Sequence, residues 1–257
     1  MKAIQSFLAA VVCFTRVPIP WQLPVDAFTR ASLQLPLLGW ILGGMQYGVF
    51  LLLSKWVTVD VALLWALIVP ILLSGAMHED GLADFADGML GGQTPSRRLE
   101  IMKDPRVGSY GVLALIIVLG GSFLALKGTA SSHQGTALLV STIFSRSIVI
   151  PLLGTLPYLN HAGSRSEGFI PQSFRGWHVI LPLWPLLPIA LLLPDARLLL
   201  FFLVFMLIFM ASRSYLQKKL GGLTGDCLGA AIKLTEFSCL MLSCFVWPIS
   251  RHVRGCC

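Results

Sequence analysis

Seven apolar windows, at 33–54, 57–77, 110–127, 136–158, 178–194, 196–211 and 235–250, leave this chain one environment in which to fold. Most approach the roughly 20 residues that carry a helix across a bilayer. In lipid, every backbone N–H and C=O of such a segment must be paired within it, which selects helices. The expected fold class is therefore all-α, a polytopic transmembrane helical bundle of about 6–7 spans. Composition agrees, with 56% hydrophobic and 12% charged residues and a mean hydropathy of +0.79. A soluble domain carries about 25% charged residues. Spans and short loops use up the 257 residues, so 1–257 reads as a single integral membrane domain. The windows at 178–194 and 196–211 are short and share the Pro194-Asp195 break, which leaves six or seven crossings open. Residues 1–20 begin like a signal peptide but lack a small-residue cleavage site before Arg16-Val17-Pro18. They read as a retained interfacial helix.

The net charge of +7 forms no basic run or helix face, which argues against nucleic acid as a partner. The charges fall in the gaps between apolar windows, as topogenic charges do. With the N-terminus cytoplasmic, Lys2, Arg16, Arg30, Arg97, Arg98, Lys103, Arg106, Arg165, Arg175, Arg213, Lys218, Lys219 and Lys233 lie inside. Lys55, Lys127, Arg197, Arg251 and Arg254 lie outside. Of the 12 acidic residues only Asp60 and Asp195 fall outside, so the polar chemistry is expected on the cytoplasmic face. The six cysteines show no CxxC or Cys/His zinc spacing.

The most informative stretch is Met77-His78-Glu79-Asp80-Gly81-Leu82-Ala83-Asp84-Phe85-Ala86-Asp87-Gly88. In a helix, Asp80, Asp84 and Asp87 stand at i, i+4 and i+7 and share one stripe, with Glu79 on its flank. Carboxylates so placed repel one another and are costly beside lipid. A hard cation such as Mg²⁺, or alternatively Mn²⁺, held with a substrate diphosphate, offsets that charge. A solvated helix end is the plainer reading, and the spacing beside a span favours the metal. His78 is a candidate ligand or general base, against a structural role.

Two more loops carry polar groups. In Arg97-Arg98-Leu99-Glu100-Ile101-Met102-Lys103-Asp104-Pro105-Arg106-Val107-Gly108-Ser109-Tyr110-Gly111, Lys103 and Arg106 suit phosphate oxygens and Asp104 a metal. Gly108 and Gly111 suit a backbone turn against phosphate. The alternative is that the basic residues only anchor topology. Arg16 and Arg146 join the phosphate-binding candidates. In Gly221-Gly222-Leu223-Thr224-Gly225-Asp226-Cys227, Asp226 opens the last helix, either as a metal ligand or as a simple cap. Arg146 falls within a span and needs a partner there, for which Glu236 is the best candidate.

These motifs, with Phe14-Thr15-Arg16-Val17-Pro18-Ile19-Pro20, resemble the cobalamin synthase family, the adenosylcobinamide-GDP ribazoletransferases, over residues 14 to about 236. The resemblance implies an Mg²⁺-dependent, multi-pass enzyme of the cell inner membrane with a cytoplasmic active site. It implies adenosylcobinamide-GDP and α-ribazole, or its 5′-phosphate, as substrates and GMP as the leaving product. It transfers Glu79, Asp80, Asp84, Asp87, Asp104 and Asp226 as site residues, with Lys103 and Arg106 at phosphate. Asp80, Asp84, Asp87 and Asp104 are the catalytic candidates, and Asp87 is taken as the base. The lipid bilayer is the other partner, and a homo-oligomer is left open. One rival is a CDP-alcohol phosphotransferase, whose Ala-Arg pair after the first Asp-Gly is replaced here by Leu82-Ala83-Asp84. Another is a cation channel or transporter using the acidic stripe, which lacks the paired interrupted spans such proteins carry.

Overall fold

The structure, a computed structural model, describes residues 2–159, 186–193 and 196–249. Within them the chain is helical apart from two isolated bridges, Thr129 with Pro248 and Tyr158 with Leu223. Helix α1 spans Lys2–Phe14 and α2 spans Val25–Phe28. The longer elements are α3 (Ala31–Leu53), α4 (Val59–Ser74) and α5 (Met77–Gly91), then short α6 (Pro95–Ile101). They are followed by α7 (Ser109–Gly128) and α8 (Ser131–Thr155), the one-turn α9 (Ile189–Leu192), α10 (Ala196–Lys219) and α11 (Gly225–Val246). Five of these are long and apolar enough to cross a membrane alone, and α4 with α5 passes the same test as a bent pair. The polytopic helical bundle read from the sequence is the architecture observed.

Each described crossing matches a window, with two informative differences. Helix α10 runs on to Lys219 and α11 starts at Gly225, both well beyond their apolar runs. Their extra turns carry Arg213, Lys218 and Lys219, and Asp226 and Lys233. Hydropathy alone could not count those polar turns as helix. The N-terminal helix expected over residues 1–20 ends at Phe14, ahead of Pro18 and Pro20. Most of the 178–194 window, with Arg165, Arg175, His161 and His178, lies outside the described residues.

Helix α8 forms the centre of the bundle, with 94% of its crossing window buried, against 11% for α10 at the lipid-facing edge. A lipid tail supplies no hydrophobic drive between helices, so close backbone packing must hold them. Gly39 and Gly43 of α3 provide it: a Cβ on Gly39 would lie 3.0 Å from Ile143 Cα, and one on Gly43 3.1 Å from Leu139 Cα. Serine hydroxyls on α8 bond their own helix, Ser141 to Leu138 O, Ser145 to Thr142 O and Ser147 to Ile143 O. Thr142 donates to Gln46 Oε1 of α3.

The ends of the bundle sort by charge. At one end Lys127 pairs with Asp60 at 2.6 Å, while Trp247 stacks on His133 and lies under Arg197. At the other end are the termini of α4, α6 and α10, the starts of α5, α7 and α11, and the residues after α1.

Helix α5 turns 87° from α4 and lies across its end. The turn is made by two left-handed residues, Gly75 at φ 63° and Ala76 at φ 61°. The latter is strained for a residue with a Cβ. The Arg16 amide donates to Leu73 O at 2.6 Å, and the Arg16 side chain lies over Gly75 where a Cβ would stand. The left-handed backbone at Gly75 is what favours glycine there.

Candidate active site

Helix α5 places its carboxylates on graded levels of burial. Asp80 is exposed, Asp84 is half-buried and Asp87 is buried. The start of α11 meets the middle of α5 at two glycines. A Cβ on Gly81 would lie 3.2 Å from Asp226 Cα, and one on Gly229 3.3 Å from Gly81 Cα. This contact is what brings Asp226 to the acidic stripe. Asp226 follows Thr224, whose hydroxyl accepts from the Cys227 amide as N-cap. Asp84 records the crowding: desolvation first, then the fields of Asp80, Asp226 and Asp87, push its carboxyl up to about 7.

Asp87 is engaged differently from its neighbours. Its Oδ2 accepts the Gly108 amide at 2.7 Å and its Oδ1 the Gly111 amide at 2.9 Å. It therefore caps α7 from another helix, a charge-assisted arrangement at the positive end of that helix. Gly108 and Gly111, expected to face phosphate, instead face Asp87, and a Cβ on Gly111 would lie 2.5 Å from Asp87 Oδ2. The loop so anchored carries Lys103, Asp104 and Arg106. Lys103 is exposed. Arg106 grips Asp104 with two side-chain bonds, at 2.9 and 2.7 Å, and its amide adds a third at 3.1 Å. Those bonds hold the Asp104 carboxyl down to about 2. Arg97 pairs with Glu100 on the surface, whereas Arg98 is buried and donates to Lys219 O at 3.1 Å, tying α6 to the end of α10.

Below the stripe lies a buried ionic network. Lys233 of α11 contacts Glu79 of α5 at 3.0 Å and Glu236 of its own helix at 2.7 Å. Glu236 reaches Arg146 of α8 at 3.4 Å, the partnership expected from the sequence. Arg146 also donates to Ser145 Oγ at 2.8 Å. Two acids and two bases thus neutralise one another among three helices. His78 sits beside them, 4% exposed, its Nε2 without a protein partner. Lys233 is the residue that sequence reasoning passed over. A lysine three residues before a glutamate, inside a membrane helix, was the available signal.

Among the described residues, no group of three or more His, Cys, Asp or Glu side chains is arranged to hold a metal ion by itself. Asp80, Asp84 and Asp226 converge on one face, Asp87 is bound to amides, Asp104 to Arg106, and Glu79 to Lys233. A helical multi-span bundle whose acidic helix is fastened through Asp87 to the loop after Arg106 defines a polytopic membrane protein. A family model described as cobalamin-5-phosphate synthase matches residues 6–244, and the chain belongs to that family. Curated relatives named adenosylcobinamide-GDP ribazoletransferase agree along nearly their whole length. The protein of Vibrio cholerae is 37% identical over 249 residues, covering 91% of this chain and 90% of its own. That of Shewanella piezotolerans is 34% identical, covering 94% and 95%. That of Clostridium tetani is 31% identical, covering 94% and 97%. No solved structure matches the chain.

Proposed function

We propose that this chain is an adenosylcobinamide-GDP ribazoletransferase of the inner membrane, working at its cytoplasmic face. A hydroxyl oxygen of α-ribazole, or of its 5′-phosphate, attacks the phosphorus that bears the corrinoid. The bond from that phosphorus to the GMP oxygen breaks, and GMP leaves with the electron pair. The hydroxyl proton passes to a carboxylate.

The observation that carries this reading is the convergence of Asp80, Asp84 and Asp226 at the Gly81–Gly229 contact, on the helix whose Asp87 fastens the loop that follows Arg106. Three carboxylates, with Asp84 raised in pKa by burial and then by the fields of its acidic neighbours, fit a divalent cation, whose remaining ligands the substrate diphosphate would supply. Mg²⁺ there would be held by Asp80, Asp84 and Asp226 and would neutralise charge on the diphosphate and on departing GMP. Asp87 sets the basic loop from its buried side. Arg106, already held flat by Asp104, and exposed Lys103 offer charge to phosphate oxygens.

Purified protein in detergent, given Mg²⁺, GDP-activated cobinamide and α-ribazole, should release GMP in step with cobalamin. Absence of that product together with turnover of CDP-diacylglycerol overturns the reading in favour of a CDP-alcohol phosphotransferase.

A further inference from the structure

The residues of α11 that face α5 alternate in what they do. Asp226, Gly229 and Lys233 stand at i, i+3 and i+7 and share one side of the helix. Gly229 is the contact point, backbone on backbone with Gly81. On one side of that point Asp226 confronts Asp80 and Asp84, like charge against like charge. On the other, Lys233 holds Glu79 at 3.0 Å. The helices are pushed apart at one end of a short crossing and drawn together at the other, with glycines between.

We propose that the Glu79–Lys233 pair is a positioning clamp that holds the acidic face in its repulsive, cation-ready arrangement. This rests on the proposed cation role of Asp80, Asp84 and Asp226. The clamp is 8% exposed at Glu79 and 6% at Lys233, so water screens it little. It is anchored through Glu236 to Arg146 on α8, the most buried helix of the bundle. The anchor matters because a clamp between two free helices would only move them together. Glu79 accordingly acts on the reaction through α5, without a place among the metal ligands.

Single variants leave one buried charge uncompensated and can fail to fold. The double variant Glu79→Gln with Lys233→Met removes one charge of each sign and keeps Glu236 with Arg146. Its thermal unfolding in detergent is measured with Mg²⁺ and with EDTA, beside the Mg²⁺ dependence of GMP release. The clamp predicts that chelation lowers the melting temperature of the double variant less than that of wild type, because a site that binds Mg²⁺ more weakly gains less stability from it. It also predicts a half-saturating Mg²⁺ concentration raised roughly fivefold or more, as for two coupled sites, with kcat at saturating Mg²⁺ near that of wild type. An equal shift with and without Mg²⁺, or an unchanged half-saturation, overturns the clamp and leaves a structural ion pair. A wild type indifferent to Mg²⁺ in both assays overturns the cation reading beneath it as well.

Discussion

Asp87 receives the amide of Gly108 at 2.7 Å, across 21 residues of sequence, and so joins the acidic helix to the basic loop. A residue that reads as one more member of a metal stripe is, in the folded chain, the fastening of a neighbouring element.

Replacing Asp87 by Ala should therefore behave as loss of a buried cap. Two amides lose their acceptor, each at a cost of about 1–3 kcal/mol where water cannot replace it, and the loop carrying Lys103 and Arg106 loosens. The expected result is a lower melting temperature and a raised KM for the GDP-activated substrate. The Mg²⁺ concentration giving half-maximal rate should stay at the wild-type value. A large change in that value would make Asp87 a metal ligand instead.

Gly81→Ala tests the helix contact itself. The new Cβ would press on Asp226 Cα at 3.2 Å and on Asp226 O at 3.3 Å, tighter than ordinary van der Waals contact. Overpacking of this kind costs about 1–3 kcal/mol. Activity should fall further than stability does, since Asp226 is the residue displaced. Thermal unfolding and GMP release on the same preparation separate the two effects.

The raised pKa of Asp84 makes a prediction about pH. A carboxyl whose folded pKa lies above its unfolded value favours folding most below the unfolded value. That advantage is lost as pH climbs through the folded value. Without divalent cation, wild type should lose stability relative to Asp84→Asn as pH rises from about 4 through about 7. Excess Mg²⁺ should flatten the difference. Melting temperatures across that range, with EDTA and with Mg²⁺, give the answer.

Arg106→Ala addresses the phosphate loop. The side chain is 87% exposed and touches only Asp104, so melting temperature should not change. Loss of a charged donor to phosphate should raise KM for the GDP-activated substrate roughly tenfold or more. Because the Asp104 carboxyl is held down to about 2, the clasp is intact at neutral pH and opens only as acid approaches that value. An unchanged KM would remove Arg106 from the substrate contacts.

Sidedness can be read with single cysteines. A maleimide reagent confined to the periplasmic side should label Lys55→Cys and spare Lys103→Cys, and the order should reverse in inside-out vesicles. The opposite pattern would place the acidic end on the outer face.

Much of the bundle was legible because lipid imposes a length and a polarity that a linear sequence displays. The helix over Met77–Gly91 and the partnership of Arg146 with Glu236 were also legible, the first from periodicity and the second from the need of a buried charge. The elbow at Gly75-Ala76 was not, since nothing marks Ala76 as left-handed. Asp87 could not be told from Asp80 or Asp84, because its difference lies in a loop that returns to it. Glu79, on the flank of the stripe, was grouped with the ligands through the family resemblance, and only the packing of α11 shows that Lys233 claims it. Periodicity finds faces, but their partners are set by tertiary contact.

The 87° elbow also determines how bulky, water-soluble reactants can be served by a protein made mostly for lipid. Had α5 continued along α4, the carboxylates would have stood on a helix projecting past the end of the bundle, away from Asp226. Folded over, the same residues lie across the end of α4 and against the start of α11. On the proposed reaction, both reactants then arrive from the aqueous side and GMP departs to it, and no large polar molecule has to be carried through hydrocarbon.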